Sequence, residues 1–441
     1  MNRQIKVYIG ELKRFVGTLF FNASGNRESS GLEYSPEWIE SNKSFEIDPA
    51  LPLGPGRVFR SKKEGSSVFH GAIADSEPDG WARQVILRAY GKHRKEKKDR
   101  GVPIDDSPLT SLDFLLAVDD FSRIGALRFQ DESGVFQQGE SNGKGTAPPL
   151  IEINALLHAT RAVETDTETA ADLEYLRGRG TSLGGLRPKC TIIDQDGSLS
   201  IGKFPSVHDS YSVTKGEVLA LHIAAEAGIQ AAEARIVESD GTPVALIKRF
   251  DRGPRGERIP YLSAATLLGI EDSHQVHTYT EIVDALKRYS SDYRADAEEL
   301  WRRIALTILI TNVDDHMRNH GFLHVEKNQW RLSPAFDINP FPDRRRVLKT
   351  WIAESTGDAA SIQSLMDVAP YFGIESVRAS ELLATVEGAV GRWRQIGNNL
   401  GMKTSELNAF ETAFEHEGRL TARRIIEQRT RKKISSQSQT T

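Results

Sequence analysis

A polar segment that directly follows an apolar one constrains this chain most. Residues 304–309 are apolar at almost every position and predict a buried helix, and residues 310–319 then bring together two adjacent acids, a histidine and an asparagine. Asp314 and Asn319 are separated by four residues, so one loop turn can present a carboxylate and a carboxamide side by side. Acids that only cap the chain are the alternative. The segment favours a catalytic or metal-binding role.

A glycine-rich segment lies earlier in the chain, at 178–189. Four of the eight residues from 178 to 185 are glycine, which leaves backbone N–H groups free to face an anion, and Lys189 adds positive charge. The spacing matches neither a Rossmann fingerprint nor a Walker A motif, because Leu183 and Leu186 stand where those motifs need glycine and lysine. An ordinary surface loop is the alternative.

A hairpin is predicted immediately after this loop. Strands at 190–193 and 198–205 flank an Asp-Gly step, which is a strong hairpin signal. Lys203 therefore ends the second strand, close to the glycine-rich loop. A helix is predicted to begin near Val213 and to carry Glu217 in its first turns. A strand lysine followed by a helix glutamate is the order in which kinases hold nucleotide phosphates.

A second predicted hairpin, within 321–332, delivers Asp337 close behind Asn319. Asp337 takes the place of the second metal-binding aspartate of kinases, although Ile338 and Asn339 differ from the usual Asp-Phe-Gly sequence. Phosphate loop, lysine, catalytic loop and metal aspartate then occur in the kinase order. Together these signals are stronger than any one alone.

The composition of the chain excludes several classes of protein. Lys and Arg total 57 against 61 Asp and Glu, a formal charge of −4, so the chain does not coat nucleic acid by bulk charge. One cysteine, Cys190, excludes an internal disulfide framework and a multi-cysteine zinc site. No leader or membrane-spanning segment is visible, so we expect a cytoplasmic protein without a membrane partner.

The sequence also predicts how the chain is divided. We expect an N-terminal β-rich subdomain at 1–130, beginning with a hairpin, and a linker at 131–149 that is rich in Gly, Ser and Gln. An ATP-binding region follows at 150–252, a helical lobe at 253–428 and a disordered tail at 429–441.

Several of these segments resemble the HipA family, which comprises serine/threonine kinase toxins of bacterial type II toxin–antitoxin systems. The resemblance lies in residues 182–189, 201–205, 314–319 and 336–337, and in the N-terminal segments 17–19, 34–38, 51–53 and 123–129. It implies an α+β, two-lobed protein-kinase-like (PI3/4-kinase-like) fold with an N-terminal β-rich subdomain and a mostly helical C-terminal lobe.

The resemblance also implies roles for individual residues. Asp314 would be the catalytic base, and Asn319 and Asp337 would hold magnesium. Ser182 would be autophosphorylated, an event that ejects the loop and silences the enzyme. The residues that would contact ATP are Gly184, Gly185, Leu186, Arg187, Pro188, Lys189, Lys203, His316, Asn319 and Asp337, with Lys248, Arg249 and Phe250 as the hinge beside adenine. Arg187 departs from related loops and would alter the phosphate contacts.

The implied activity is ATP- and Mg-dependent phosphorylation of a protein, such as an aminoacyl-tRNA synthetase. The implied partner is a HipB-like helix-turn-helix antitoxin, through which alone the chain would meet operator DNA. Two alternatives stay open. One is a catalytically weak corepressor with a kinase fold, and the other is a serine hydrolase in which Ser182 occupies a G-x-S-x-G elbow at 180–184.

Overall fold

The structure is a computed structural model that describes residues 1–25, 27–78, 80–103, 107–136, 147–176, 185–271 and 275–437, with only the backbone at 430 and 432–437. The strands are β1 (Asn2–Ile9), β2 (Arg14–Ser24), β3 (Arg27–Tyr34), β4 (Arg57–Ser61), β5 (Leu127–Gln130), β6 (Lys189–Ile193), β7 (Leu199–Lys203), β8 (Ala234–Ser239), β9 (Thr242–Lys248), β10 (Tyr261–Ser263), β11 (His277–Thr278), β12 (Gly321–Glu326), β13 (Gln329–Leu332) and β14 (Thr350–Trp351).

The helices are α1 (Pro36–Glu40), α2 (Gly71–Ala74), α3 (Gly80–Asp99), α4 (Ser111–Ala117), α5 (Ile153–Glu164), α6 (Ala170–Leu176), α7 (Val213–Glu226), α8 (Ala264–Leu267), α9 (Tyr279–Tyr289), α10 (Tyr293–Leu309), α11 (Ile362–Asp367), α12 (Ser376–Val390), α13 (Trp393–Asn399), α14 (Thr404–Ala409), α15 (Glu411–Phe414) and α16 (Glu417–Gln437). Among these described helices, none combines the length and the apolar character that crossing a membrane requires.

The chain divides into two compact units. Unit 1 comprises Met1–Asp209, Val237–Ser273 and Phe322–Asn328, and unit 2 comprises Ser210–Ile236, His274–Gly321 and Gln329–Thr441. This division differs from the predicted boundaries. Helix α7 lies in unit 2, whereas residues 253–273 and 322–328 lie in unit 1.

Contacts between distant residues explain part of this difference. Within unit 1, the ring of Phe45 stacks on His324 with centroids 3.8 Å apart, and the Glu46 N–H donates to Asn328 Oδ1 at 2.9 Å. These contacts fix residues 322–328 to the N-terminal part of the chain. No local sequence pattern announces them.

The N-terminal sheet of unit 1 follows from alternating side chains. Its strand order is β4-β3-β2-β1-β5, and β1 pairs antiparallel with β2 in a register that sets Ile5 opposite Leu19. Ile5, Val7 and Ile9 are buried, as period-2 alternation predicts for one face of a strand. The predicted N-terminal hairpin is confirmed.

The second sheet of unit 1 positions the glycine-rich loop. Strands β6, β7 and β9 are consecutive in it, and Gly197 adopts φ +80° in the turn between β6 and β7. This confirms the hairpin predicted immediately after the glycine-rich loop. Helices α3, α5 and α6 contribute to an apolar cluster with the sheet, and Cys190 is buried within that cluster.

Unit 2 is mostly helical, and α10 lies in its core. Ile304, Ala305, Leu306, Ile308 and Leu309 are almost fully buried, which confirms the predicted apolar helix. Helix α10 packs against α9, α11 and α12, and α7 packs against α12 and α13. Helix α10 is therefore packed on several sides, and the candidate catalytic loop starts at its C-terminal end.

The sequence predicts two irregular segments, the linker at 131–149 and the tail at 429–441. At 429–437 the structure differs from the predicted disordered tail: helix α16, whose first half is packed through Ala422, continues to Gln437. In the predicted linker, residues 131–136 form a turn in which the Asp131 N–H donates to Val135 O at 3.0 Å. Residues 137–146 lie outside the described ranges.

A cluster of buried charges stabilises unit 1. The Asp251 carboxylate accepts hydrogen bonds from Arg249 Nε at 2.9 Å, from Arg252 Nη1 at 2.8 Å and from the Gly125 N–H at 2.7 Å. Burial alone would raise the pKa of Asp251, but the two guanidinium groups hold it well below its usual range. Each charged group in this cluster is stabilised by the opposite charge beside it.

We expect Asp251→Asn to destabilise unit 1 by about 3–5 kcal/mol, because it leaves two buried guanidinium groups without their counter-charge. Urea unfolding at pH 7 measures this. Asp196→Asn is the matched control, since Asp196 is an exposed carboxylate 3.7 Å from Lys248. Equal unfolding midpoints for the two variants would contradict the expectation.

Candidate active site

The candidate catalytic loop begins where α10 ends. Ile310 caps α10, and the next residue, Thr311, has a left-handed backbone with φ +58°. A β-branched residue is rarely found there, so its surroundings must hold it. Thr311 Oγ1 donates to Ala413 O at 2.9 Å, and the Thr311 carbonyl accepts from the Phe341 N–H at 3.2 Å. The chain therefore leaves the helix along a fixed path.

Two adjacent acids of this loop lie in opposite environments. The side chain of Asp314 is 62 % exposed, whereas Asp315 is buried. The Asp315 carboxylate accepts from the Tyr279 hydroxyl at 2.5 Å and from His320 Nε2 at 3.0 Å. Thr350 Oγ1 donates to the backbone carbonyl of Asp315 at 2.9 Å. Asp315 anchors the loop, and Asp314 is left to face solvent.

The protonation states of this network support the anchor. Burial alone would raise the pKa of Asp315, but His320 and the Tyr279 hydroxyl hold it below its usual range. Burial and the Asp315 charge together raise the pKa of Tyr279 well above its usual value. At neutral pH the carboxylate is therefore ionised and the phenol is protonated, which is the combination their hydrogen bond requires.

His316 lies among the charged groups of the loop. Burial lowers its pKa, and the Lys349 charge lowers it further, while the carboxylates of Asp315, Asp337 and Asp314 act in the opposite direction. These interactions gather all of these side chains around one imidazole. Among the described side chains, His316 Nδ1 is buried without a hydrogen-bond partner, and a polar ligand atom would satisfy it.

Asn319 and Asp337 are held next to this loop. The Asn319 N–H donates to His316 O at 2.8 Å, which closes a short 3-10 turn. Asp337 has a left-handed backbone with φ +55°, and two residues later the Asn339 N–H donates to Asn312 Oδ1 at 3.2 Å. The segment that carries Asp337 is therefore bonded to the loop that carries Asn319.

This set of donors fits magnesium. Mg²⁺ takes oxygen ligands, and in nucleotide sites it is bound by one or two carboxylates together with phosphate oxygens and water. Asp337 offers a carboxylate and Asn319 a carboxamide oxygen. Within the described part of the chain, no three His, Cys, Asp or Glu side chains converge as a metal site.

The glycine-rich loop belongs to unit 1, and its second half is described. Ser182 and Gly184 lie outside the described residues. Gly185 has φ +94°, and its carbonyl accepts from the Trp81 N–H and from Lys189 Nζ, both at 3.2 Å. The N-terminus of α3 and the loop's own lysine thus hold the backbone at this point.

The next three residues are also restrained. Leu186 is 79 % exposed, whereas Arg187 forms a two-pronged ion pair with Asp209 at 2.8 and 2.6 Å. The Pro188 carbonyl accepts from the Phe204 N–H at 2.9 Å. The Arg187 guanidinium, which the sequence singled out as a departure from related loops, is largely neutralised by Asp209.

Two lysines stand opposite each other at the end of this loop. Lys189 and Lys203 are cross-strand partners in the antiparallel β6–β7 pair, and Lys189 is buried. Side chains of directly opposed residues lie on the same face with Cβ atoms roughly 4.5–5.5 Å apart. Two cationic side chains therefore share one face at the end of the glycine-rich loop. The pair therefore marks a candidate phosphate site.

The predicted adenine hinge follows β9. Lys248 is exposed, and its Nζ lies 3.7 Å from Asp196. The Arg249 side chain is buried in the charge cluster of unit 1 and cannot face a ligand. The Phe250 ring lies 6.4 Å from that of Tyr261. Only the backbone of this segment, Lys248 and Phe250 remain available to a nucleotide.

Family models match both parts of the chain. The model for the HipA N-terminal domain matches residues 5–100, and the model for the HipA-like C-terminal domain matches residues 181–393. The second match contains the end of the glycine-rich loop, the catalytic loop and Asp337. The chain belongs to the HipA family.

Curated relatives of this HipA-family chain carry kinase names. The chain is 23 % identical over 188 residues to the "Putative kinase" of Haemophilus influenzae, which covers 37 % of this chain and 55 % of that relative. It is 30 % identical over 152 residues to the "Putative kinase Y4dM" of Sinorhizobium fredii, which covers 31 % and 36 %. The chain thus spans about half and about a third of these relatives.

A solved HipA structure shares the fold. The HipA of Shewanella oneidensis MR-1, solved in a complex with HipB and operator DNA, superposes with a TM-score of 0.64 at 14 % identity and covers 96 % of this chain and 97 % of that chain. This likeness confirms the predicted α+β fold of the HipA kind along nearly the whole chain.

Sequence analysis of this HipA-family chain missed several residues of the site. Tyr279 and Thr350 bind Asp315 from elements far along the chain, and Lys349 Nζ lies 3.1 Å from Asp314 Oδ1. No spacing rule connects these residues to the loop. His320 was detectable in principle, because it lies at the end of the same motif.

One histidine supports the helix end beneath the loop. His416 Nε2 donates to Leu309 O at 3.1 Å, at the last turn of α10. Burial, followed by the Arg346 charge, lowers the pKa of His416 from 6.5 to about 4. Between these pH values the unfolded chain binds a proton at this position that the folded chain does not bind. The free energy of unfolding therefore decreases as the pH falls.

We therefore expect His416→Asn to reduce the pH dependence of stability between pH 6.5 and 4, the window set by the lowered pKa of His416. At pH 7 the variant loses about 1 kcal/mol with the altered hydrogen bond, and this deficit shrinks as pH falls. Urea unfolding across the window measures it. A deficit that stays constant with pH would show that His416 does not titrate as described.

Proposed function

We propose that this HipA-family protein is an ATP- and Mg-dependent kinase that phosphorylates serine or threonine hydroxyl groups of a protein. The observation that carries the proposal is the contrast between the exposed carboxylate of Asp314 and its buried, hydrogen-bonded neighbour Asp315. A general base must reach the substrate while its backbone is held, and this arrangement supplies both requirements.

Each group of unit 2 has a place in this chemistry. Asp314 accepts the proton of the attacking hydroxyl. Neutral His316 holds a polar atom of the nucleotide through its buried Nδ1. Asn319 and Asp337 hold magnesium, which when bound neutralises phosphate charge. Asp315 keeps the loop that carries these groups in one conformation.

Unit 1 supplies the proposed phosphate-binding groups. Lys203 and Lys189 supply positive charge at the end of the glycine-rich loop, and the backbone of Gly184 and Gly185 supplies N–H donors. The proposal includes autophosphorylation of Ser182 as a regulatory event, since a phosphate three residues before Gly185 in the sequence would add negative charge to the glycine-rich loop.

The proposal extends to partners. The Shewanella oneidensis HipA was solved with HipB and operator DNA. By analogy, this chain is the toxin of a type II toxin–antitoxin system, binds a HipB-like helix-turn-helix antitoxin and meets operator DNA through it. A translation component such as an aminoacyl-tRNA synthetase is the proposed target.

The serine hydrolase alternative gains no support from the described elements. A nucleophile elbow needs a strand before the serine and a helix after it. Around residues 177–184, the preceding described element is helix α6 and the following one is strand β6. This order is the reverse of the one required.

We expect Asp314→Asn to lower phosphotransfer by at least about 100-fold while ATP affinity stays within about threefold, because the carboxylate acts on the hydroxyl proton and other groups hold ATP. Labelled ATP with magnesium, followed by mass mapping of the modified residue, measures the rate and tests Ser182 together. Asp284→Asn is the control, since Asp284 is an exposed acid 3.1 Å from Lys287. Near-normal labelling in Asp314→Asn would refute the base assignment.

We expect Asp337→Ala to lose Mg-dependent ATP affinity as well as rate, because it removes a direct ligand of the cation. Calorimetry of ATP binding with and without magnesium measures this. Asp343→Ala is the matched control, because Asp343 is an aspartate with a similar left-handed backbone, φ +57°. If both variants lose affinity equally, backbone strain rather than metal binding explains the effect.

A further inference from the structure

A lysine from a distant segment lies against the candidate catalytic base. Lys349 Nζ is 3.1 Å from Asp314 Oδ1, and the two side chains are 53 % and 62 % exposed. Ion pairs this open to water add little to stability, so folding does not account for the position of Lys349. A cation beside a general base is, in contrast, where a phosphoryl group would pass.

The backbone on both sides of Lys349 is fixed. Leu348 is buried, and its N–H donates to Asp358 O at 2.7 Å. Thr350 is buried at the start of β14, which pairs with β11, and its hydroxyl donates to Asp315 O at 2.9 Å. Lys349 lies at a bend between these two held residues, and its side chain is exposed.

The segment that carries Lys349 is thus bonded to the loop that carries Asp314. The Thr350–Asp315 hydrogen bond joins the residue after Lys349 to the residue after Asp314. The Lys349 charge also contributes, after burial, to the lowered pKa of His316. A charge held in this way needs little reorganisation when a phosphoryl group arrives.

We propose that Lys349 is a catalytic residue: its ammonium group orients the Asp314 carboxylate and neutralises the oxygens of the transferring phosphoryl group. The inference rests on the proposed function. In that step the substrate hydroxyl oxygen forms a bond to the γ-phosphorus, the bond from the γ-phosphorus to the bridging oxygen breaks, the hydroxyl proton passes to Asp314, and ADP leaves with the bonding electron pair. Lys349 supplies charge and exchanges no proton.

The experiment compares Lys349→Met and Lys349→Arg with a matched control, Lys287→Met. Lys287 is an exposed lysine 3.1 Å from Asp284 on α9, so its removal breaks the same kind of ion pair outside the catalytic loop. Single-turnover phosphotransfer and ATP affinity are measured for each variant. The affinity for ADP with aluminium fluoride, a mimic of the transferring phosphoryl group, provides a readout that needs no turnover.

In Lys349→Met we expect the rate to fall about 100- to 1000-fold, ATP affinity to stay within about twofold and affinity for the mimic to fall at least about tenfold, because the charge acts mainly in the transition state. Lys349→Arg keeps the charge and should retain a rate within about tenfold of the unmodified protein. Lys287→Met should match the unmodified protein in all three measurements.

Several results would overturn the inference. An unchanged or faster rate in Lys349→Met would show that Lys349 is dispensable or that it blocks Asp314. Unchanged affinity for the mimic, or an equal loss in the arginine and methionine variants, would remove the role of the charge. If the unmodified protein transfers no phosphate, the proposed function fails and this inference fails with it. If the unmodified protein transfers phosphate and Lys349→Met transfers it at an unchanged rate, this inference alone fails.

Discussion

The buried, ionised carboxylate of Asp315 is the interaction on which the candidate active site depends. A carboxylate taken out of water is costly unless donors surround it, and Tyr279 and His320 supply those donors. The positions of these donors, at the start of α9 and immediately before β12, then determine the geometry of the loop. The exposure of Asp314 follows from this anchor, because the next residue cannot move without leaving an unpaired charge inside the protein.

Backbone strain marks the two segments that this anchor brings together. Thr311 and Asp337 both have left-handed backbones, one at the start of the catalytic loop and the other on the segment bonded to it. Such conformations persist only where surrounding contacts hold them, and they occur preferentially at functional sites. The bond between the Asn339 N–H and Asn312 Oδ1 is one of those contacts. The strained backbone therefore occurs in the two segments that orient the candidate catalytic and metal-binding side chains.

Short-range sequence patterns predicted the elements that are formed by residues close together in the sequence. The β1–β2 hairpin, the buried helix α10 and the position of Lys203 at a strand end all follow from periodicity and turn residues. The partners of the catalytic loop do not, because Tyr279 and Lys349 are 36 and 35 residues away from the acids they contact. Nor does the return of residues 322–328 to unit 1, which rests on contacts such as the stacking of Phe45 on His324.

Each unit holds a group of like-charged side chains at its candidate site. In unit 1, Lys189 and Lys203 are cross-strand partners, so two cations share one face of the sheet at the end of the glycine-rich loop. In unit 2, the charges of Asp314, Asp315 and Asp337 all act on the imidazole of His316, and Lys349 Nζ lies 3.1 Å from Asp314 Oδ1. A nearby charge of opposite sign favours the charged form of such groups. The lysine pair therefore favours an anion, and the acids favour a cation.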